Sequence, residues 1–230
     1  MYTYRKNIII ILFICCGLFM GILYFDSDLF VKKMSKNEKL PNDIRWVVKS
    51  KEYNMLCKQI YKEAMVKTKK IYSKKNQAVI MDLDETILNN SIYQVENFKK
   101  GESFNMQSWA KWVNRSEATL VPGAKEYIEL LRALNIQLIF ISNRMDERVD
   151  ATQENLKNLG IFSDKDIYLL RLDKEDKKYV RRKEVLMGTN RMSPHGSFEV
   201  IVHIGDAMGD FQKGEVKNNF ILPNPMYGKW

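Results

Sequence analysis

The stretch Ala78-Val79-Ile80-Met81-Asp82-Leu83-Asp84-Glu85-Thr86 constrains the fold more than any other in the chain. A short, continuous apolar run bounded by polar residues reads as a strand buried on both faces. Side chains two residues apart on extended chain point the same way. Asp82 and Asp84 therefore face one site at the carboxyl end of that strand, where open α/β sheets place their ligands. Two carboxylates this close resist ionising together unless a cation lies between them or one keeps its proton. That suits nucleophilic phosphoryl chemistry: one carboxylate attacks phosphorus, and the other gives a proton to the leaving oxygen and later takes one from water. A strand-end pair satisfied by neighbouring backbone amides is the alternative, and for this stretch alone both readings stand.

The pattern recurs along the chain. Gln137 to Ser142 is a second apolar run, ending in a hydroxyl; Ile167 to Leu170 is a third; Val200 to Ile204 is a fourth, followed by Asp206; Phe220 to Leu222 is a fifth. Helical periodicity separates them. One long helix is expected from a cap at Asp43 to about Ser73, one from Pro122-Gly123-Ala124 to Leu134, one from Asp146 to Leu159 stopped by Gly160, and a basic one over residues 173–186. Strands alternating with helices imply a parallel sheet flanked by helices, an α/β fold. The weakly patterned stretch 88–121 reads as a small, mainly helical insert around Ser108 to Val113.

In a parallel sheet the strand ends share one edge, so Asp82, Asp84, Ser142 and Asp206 meet although remote in sequence. Ser142, with the backbone N–H groups of Asn143 and Arg144 at a helix start, suits a phosphate. Mg²⁺ takes a few oxygen ligands and keeps several waters. Asp82 and Asp206 suit it, with Asp210 one helical turn past Asp206 as direct or supporting ligand. A lysine opposite the cation would neutralise transition-state charge, and the basic helix offers Lys174, Lys177, Lys178 and Lys183.

Net charge of +9 favours anionic partners. Three cysteines, two of them (Cys15 and Cys16) in the leader, leave Cys57 alone, so no disulfide framework holds the domain. Arg5 and Lys6 precede 18 uncharged residues from Ile8 to Phe25, near the minimum to span a bilayer. The basic flank places the amino terminus inside and the remainder outside. Residues 1–26 are thus a membrane anchor or signal peptide, uncleaved anchor ranking ahead of cleaved signal and lipoprotein. Residues 27–42 form a tether in which Lys32, Lys33 and Lys36 suit anionic headgroups. Residues 43–230 are the folded domain.

Asp82-Leu83-Asp84-Glu85-Thr86, Ile141-Ser142-Asn143-Arg144, a lysine in the basic helix, and Gly205-Asp206-Ala207-Met208-Gly209-Asp210-Phe211 together resemble the four motifs of the haloacid dehalogenase (HAD) superfamily. More narrowly, the chain resembles the class C acid phosphatases, often surface lipoproteins with 5′-nucleotidase activity. Supporting stretches are Leu88-Asn89-Asn90-Ser91, Trp109 to Val113, Val121 to Ala124 and Leu222 to Trp230.

The resemblance implies a HAD-like Rossmannoid sheet and a Mg²⁺-dependent phosphomonoesterase working through an aspartyl-phosphate. Carried over by position, Asp82 is the nucleophile. Asp84 is the general acid/base, which suits a mildly acidic optimum, and lends its backbone carbonyl to the metal. Ser142 and Asn143 hold phosphate, Asp206 ligates Mg²⁺, and Asp210 supports it. Lys178 is preferred over Lys177 because Lys178-Tyr179-Val180-Arg181 matches the family's lysine with a basic residue three later. Trp109 and Tyr227 match aromatics that clamp a nucleotide base. The implied partners are small phosphomonoesters, foremost nucleoside monophosphates, and a membrane through the leader; nucleic acid is not expected. Ala207 and Gly209 stand where the family's fourth motif is usually polar, and Thr189 to Ser197 is an extra stretch. Ala207 and Gly209 motivate an alternative: a tethered anion- or nucleotide-binding protein of the same fold with weak or no catalysis. Trp112, Cys57 and His203 read as core residues, His203 with a hydrogen bond, and His195 as solvated.

Overall fold

A computed structural model describes residues 39–73, 76–211 and 218–228. Leu40–Trp230 forms one compact unit; of the other, Met1–Lys39, only Lys39 is described. The expected apolar anchor and most of the tether therefore lie outside the described residues. Among the described residues, no helix is long and apolar enough to cross a membrane.

The order of elements is α1 (Asn42–Lys49), α2 (Lys51–Ile71), β1 (Gln77–Met81), β2 (Leu88–Asn89), α3 (Ser91–Lys100), α4 (Met106–Arg115), β3 (Thr119–Leu120), α5 (Ala124–Ala133), β4 (Gln137–Met145), α6 (Val149–Asn158), β5 (Ile167–Arg171), α7 (Lys178–Met187), β6 (Glu199–Gly205) and β7 (Asn219–Ile221). Strands β5-β4-β1-β6-β7 form a parallel sheet with β1 at its centre. All five residues of β1 are buried, as a strand covered on both faces requires. Ile80, Ile139, Ile141, Leu169, Val185 and Met192 pack one face of the sheet, under α7. Between β1 and β4 the chain makes an antiparallel ribbon, β2 with β3, around the two helices α3 and α4.

Several expected boundaries move. The single helix from Asp43 is two helices. Ser50 is extended (φ −82°, ψ 141°) and its hydroxyl accepts from the Tyr53 N–H, a serine cap that starts α2. Pro41 rather than Asp43 occupies the cap position of α1. The basic helix begins at Lys178, not at residue 173, because the Asp173 carboxylate accepts from the backbone N–H groups of Glu175 and Asp176 and closes a turn there instead. Strand β4 runs through Asn143 and Arg144 to Met145. The amides of Asn143 and Arg144 therefore lie in a strand, and the helix start comes later, with a 3₁₀ turn at Asp146–Arg148 before α6.

The side chains read as core behave so in part. Cys57 is fully buried, and burial pushes its thiol up to about 11, away from reactivity. Trp112 is buried and its Nε1–H donates to Asn90 Oδ1 at 2.8 Å. His203 is buried in β6, but its Nε2 has no hydrogen-bond partner, contrary to expectation. Burial and the nearby Arg182 guanidinium push this imidazole down to about 4, so it stays neutral. His195 is exposed.

Candidate active site

β1 ends at Met81, and Asp82 is the first residue beyond it, still tied to the sheet by its N–H donating to Ile204 O. The chain then turns sharply. The N–H groups of Ile87 and Leu88 both donate to Leu83 O, and Glu85 sits at φ 53°. This hairpin sends Asp82 and Asp84 to different partners. β6 ends at Gly205, next to β1; Asp206 follows directly, and Asp210 closes the 3₁₀ turn Met208–Asp210. Ligand oxygens of Asp82, Asp206 and Asp210 all lie within 4.8 Å of one another.

Lys178, at the first turn of α7, points its Nζ between two of these carboxylates, 2.6 Å from Asp82 Oδ1 and 2.5 Å from Asp210 Oδ1. Its ammonium is held above the ordinary lysine value by the two carboxylates, which outweigh its burial. Lys177 is half-exposed and its Nζ donates to Lys174 O, away from the carboxylates. Burial, followed by the neighbouring aspartates, pushes the Asp82 carboxyl well up in spite of Lys178. Burial and Asp210 push Asp206 up to about 6, opposed by the Asn224 amide, which donates to Asp206 Oδ2 at 2.8 Å. Three crowded oxygen acids that resist joint ionisation are the donor set a small divalent cation neutralises, so these residues fit such an ion.

Asp84 lies beside this cluster rather than within it. Its carboxylate accepts from Arg144 Nη2 at 2.8 Å and Nε at 3.0 Å, and from Asn90 Nδ2 at 2.9 Å. Arg144 is 2% exposed, also donates to Thr152 Oγ1 at 3.1 Å, and its guanidinium carbon lies 5.9 Å from the Trp109 ring centroid. Asp84 is thereby linked through Arg144 and Asn90 to both tryptophans of α4. Trp109 is half-buried and meets Tyr93 edge-on at 5.2 Å. Tyr227, in the segment after β7, is exposed.

Ser142 is buried near the end of β4, its Oγ accepting from the Arg144 N–H at 3.3 Å. The Asn143 Oδ1 accepts from Arg181 Nη2. Ala207 and Gly209, the departures in the fourth motif, contribute backbone. The Ala207 N–H donates to Asp210 Oδ2 and Gly209 O accepts from Arg182. The acidic arrangement therefore forms without polar side chains at either position. The extra stretch Thr189–Ser197 is held by Arg191, which donates to Leu170 O and pairs with Glu184 and Asp176.

Three side chains of this neighbourhood escaped the sequence reading: Arg144, Asn90 and Asn224. All lie in stretches that carried the resemblance, but a one-dimensional motif does not say which of its members faces the site.

A family model for acid phosphatases of HAD superfamily subfamily IIIB matches residues 28–230. A stem 31 kDa glycoprotein of Glycine max is 28% identical over 160 residues, 66% of this chain and 59% of that protein. Acid phosphatase 1 of Solanum lycopersicum is 30% identical over 150 residues, covering 64% and 57% of the two chains. The alignments thus span less than two thirds of either plant relative. A class C acid phosphatase from Bacillus anthracis, solved with tungstate bound, superposes with a TM-score of 0.70 at 27% identity, over 81% of this chain and 84% of that one.

Proposed function

The chain belongs to the acid phosphatases of HAD superfamily subfamily IIIB, and from that membership we propose that it hydrolyses small phosphomonoesters with Mg²⁺ as cofactor. The observation that carries this reading is the clustering of Asp82, Asp206 and Asp210 at the ends of two adjacent parallel strands, with Lys178 paired to Asp82 and Asp210. An oxyanion, tungstate, binds the related Bacillus enzyme, in line with a site for a tetrahedral phosphoryl group.

In the proposed cycle an Asp82 oxygen attacks phosphorus and the phosphorus–ester oxygen bond breaks. The leaving oxygen takes a proton from Asp84, and Asp82 is left as an aspartyl-phosphate. Asp84 then removes a proton from water, whose oxygen attacks the same phosphorus, releasing inorganic phosphate and free Asp82. Lys178 holds positive charge against the phosphoryl oxygens, and Ser142 and Asn143 hold the phosphate from the β4 side. Asp82, Asp206 and Asp210, with the backbone carbonyl of Asp84, would hold the cation. Bound there, it supplies charge neutralisation to the phosphoryl oxygens. Arg144 keeps the Asp84 carboxyl aimed, through two nitrogens.

Trp109 and Tyr227 would stack the base of a nucleoside monophosphate, which favours broad base use. Residues 8–25 would anchor the enzyme with its catalytic unit outside the cytoplasmic membrane.

Hydrolysis of p-nitrophenyl phosphate and a nucleotide panel, with EDTA and with Mg²⁺ restored, tests the reading. Activity should vanish on chelation and return with the metal, and Asp82→Asn should abolish it with the far-ultraviolet spectrum unchanged. Substantial Mg²⁺-dependent turnover by Asp82→Asn would remove Asp82 as nucleophile. Phosphate-ester binding without any turnover in the wild-type chain would favour the non-catalytic alternative.

A further inference from the structure

Helix α2 presents an outer ridge whose side chains have no hydrogen-bond or ion-pair partner among the described residues. Lys51, Met55, Lys58, Lys62, Val66 and Lys69 follow one another at three- and four-residue steps, so they line a single face. All six are exposed, Met55 by 65% and Val66 by 62%. The ridge is about 27 Å long, from 1.5 Å of rise per residue. Its two neighbouring acids, Glu52 and Glu63, lie to one side of it, and none of its lysines pairs with a carboxylate among the described residues. The opposite face of α2 is fixed: Tyr53, Cys57, Tyr61, Ala64 and Thr68 are buried, Tyr61 donates to Thr86 O at 2.6 Å, and Thr68 meets Tyr127 at 2.8 Å. The helix therefore cannot roll to hide the ridge.

We propose that this ridge is a docking surface for anionic lipid headgroups. Alternating lysines with protruding Met and Val side chains match a charged surface with a shallow apolar layer beneath it. The ridge has neither aromatic platforms nor arginines, which argues against a nucleic-acid strand. The proposal rests on the reading of residues 8–25 as an anchor. From there to α1, residues 26–41 span at most about 58 Å when extended. Lys32, Lys33 and Lys36 add the same sign of charge along the way.

The test uses the full chain reconstituted into vesicles of phosphatidylcholine alone and of phosphatidylcholine with one third phosphatidylglycerol. Acylation rates of individual lysines are read by mass spectrometry. Lys51, Lys58, Lys62 and Lys69 should be slowed several-fold in the anionic vesicles only and recover in 1 M salt, while Lys111 and Lys165 keep equal rates in both. The double variant Lys58→Glu/Lys62→Glu should still float with both vesicles and hydrolyse p-nitrophenyl phosphate, yet lose protection at Lys51 and Lys69. Equal labelling of the ridge in the two vesicles overturns the proposal. Equal protection by a single-stranded DNA oligonucleotide in solution also overturns it, reassigning the ridge to soluble polyanions. Failure to float with neutral vesicles overturns the anchor alone, because ridge protection is read separately in the anionic ones.

Discussion

Asp210 folds back against Gly205 so closely that a Cβ built on Gly205 would lie 2.4 Å from both Cβ and Oδ2 of Asp210. The same Oδ2 accepts from the N–H groups of Asp206 and Ala207, which closes the turn after β6. Gly205 thus makes room for the carboxylate that meets Lys178. Gly205→Ala should displace Asp210 and lower kcat at least about 100-fold. It should also raise the Mg²⁺ concentration needed for half-maximal activity. Steady-state kinetics over a Mg²⁺ titration check both, and an unchanged metal requirement would separate Asp210 from the cation.

Lys178 is the cation on which Asp82 and Asp210 converge. Removing it leaves buried carboxylates without their partner, an arrangement that costs about 3 kcal/mol or more. Lys178→Met should lower Tm in EDTA and lose nearly all turnover. Added Mg²⁺ should recover much of the stability, because on the proposed reading the ion would neutralise the same oxygens, but not the activity. Thermal melts with and without metal measure this, and a Tm indifferent to Mg²⁺ would contradict the proposed metal position.

Arg144 holds Asp84 by two nitrogens and Thr152 by a third. A lysine supplies charge without the planar fork. Arg144→Lys should fold and bind substrate with kcat reduced about 10- to 100-fold. Arg144→Ala should also be less stable by about 2 kcal/mol or more. A kcat/KM comparison and urea melts on both variants separate positioning from folding, and full activity in Arg144→Lys would show that Asp84 needs no fork.

His203 should make the fold acid-sensitive. Its folded value of about 4 lies below the ordinary 6.5. Above pH 6.5 the imidazole is neutral in both states and contributes no slope. As pH falls from 6.5 to 4 the unfolded chain takes up a proton that the fold refuses, and stability drops by at most about 3 kcal/mol. Urea midpoints at pH 7 and pH 4.5 should converge in His203→Leu relative to wild type. An identical acid loss in the variant would place the sensitivity elsewhere.

The sheet was legible because burial leaves a one-dimensional trace. The apolar runs at 78–81, 137–142, 167–170, 200–204 and 220–222 coincide, within a residue or a few, with the five parallel strands. Helix ends were less so. Ser50 divides α1 from α2 by a local hydroxyl–amide contact, and Asp173 delays α7 in the same way. Such contacts are short-ranged and compete with a helical pattern that continues through them.

What the residues determined unaided is the succession of buried strands and the acid or hydroxyl after three of them, since hydrophobic periodicity and chain direction alone place those groups on one edge. Only the tertiary structure decided how the acids divide: Asp82, Asp206 and Asp210 cluster, with Lys178 reaching Asp82 and Asp210, while Asp84 turns to Arg144 and Asn90. The physical reason is that each partner arrives from a different element, α7, β4 or the insert, and electrostatic pairing acts through space rather than along the chain.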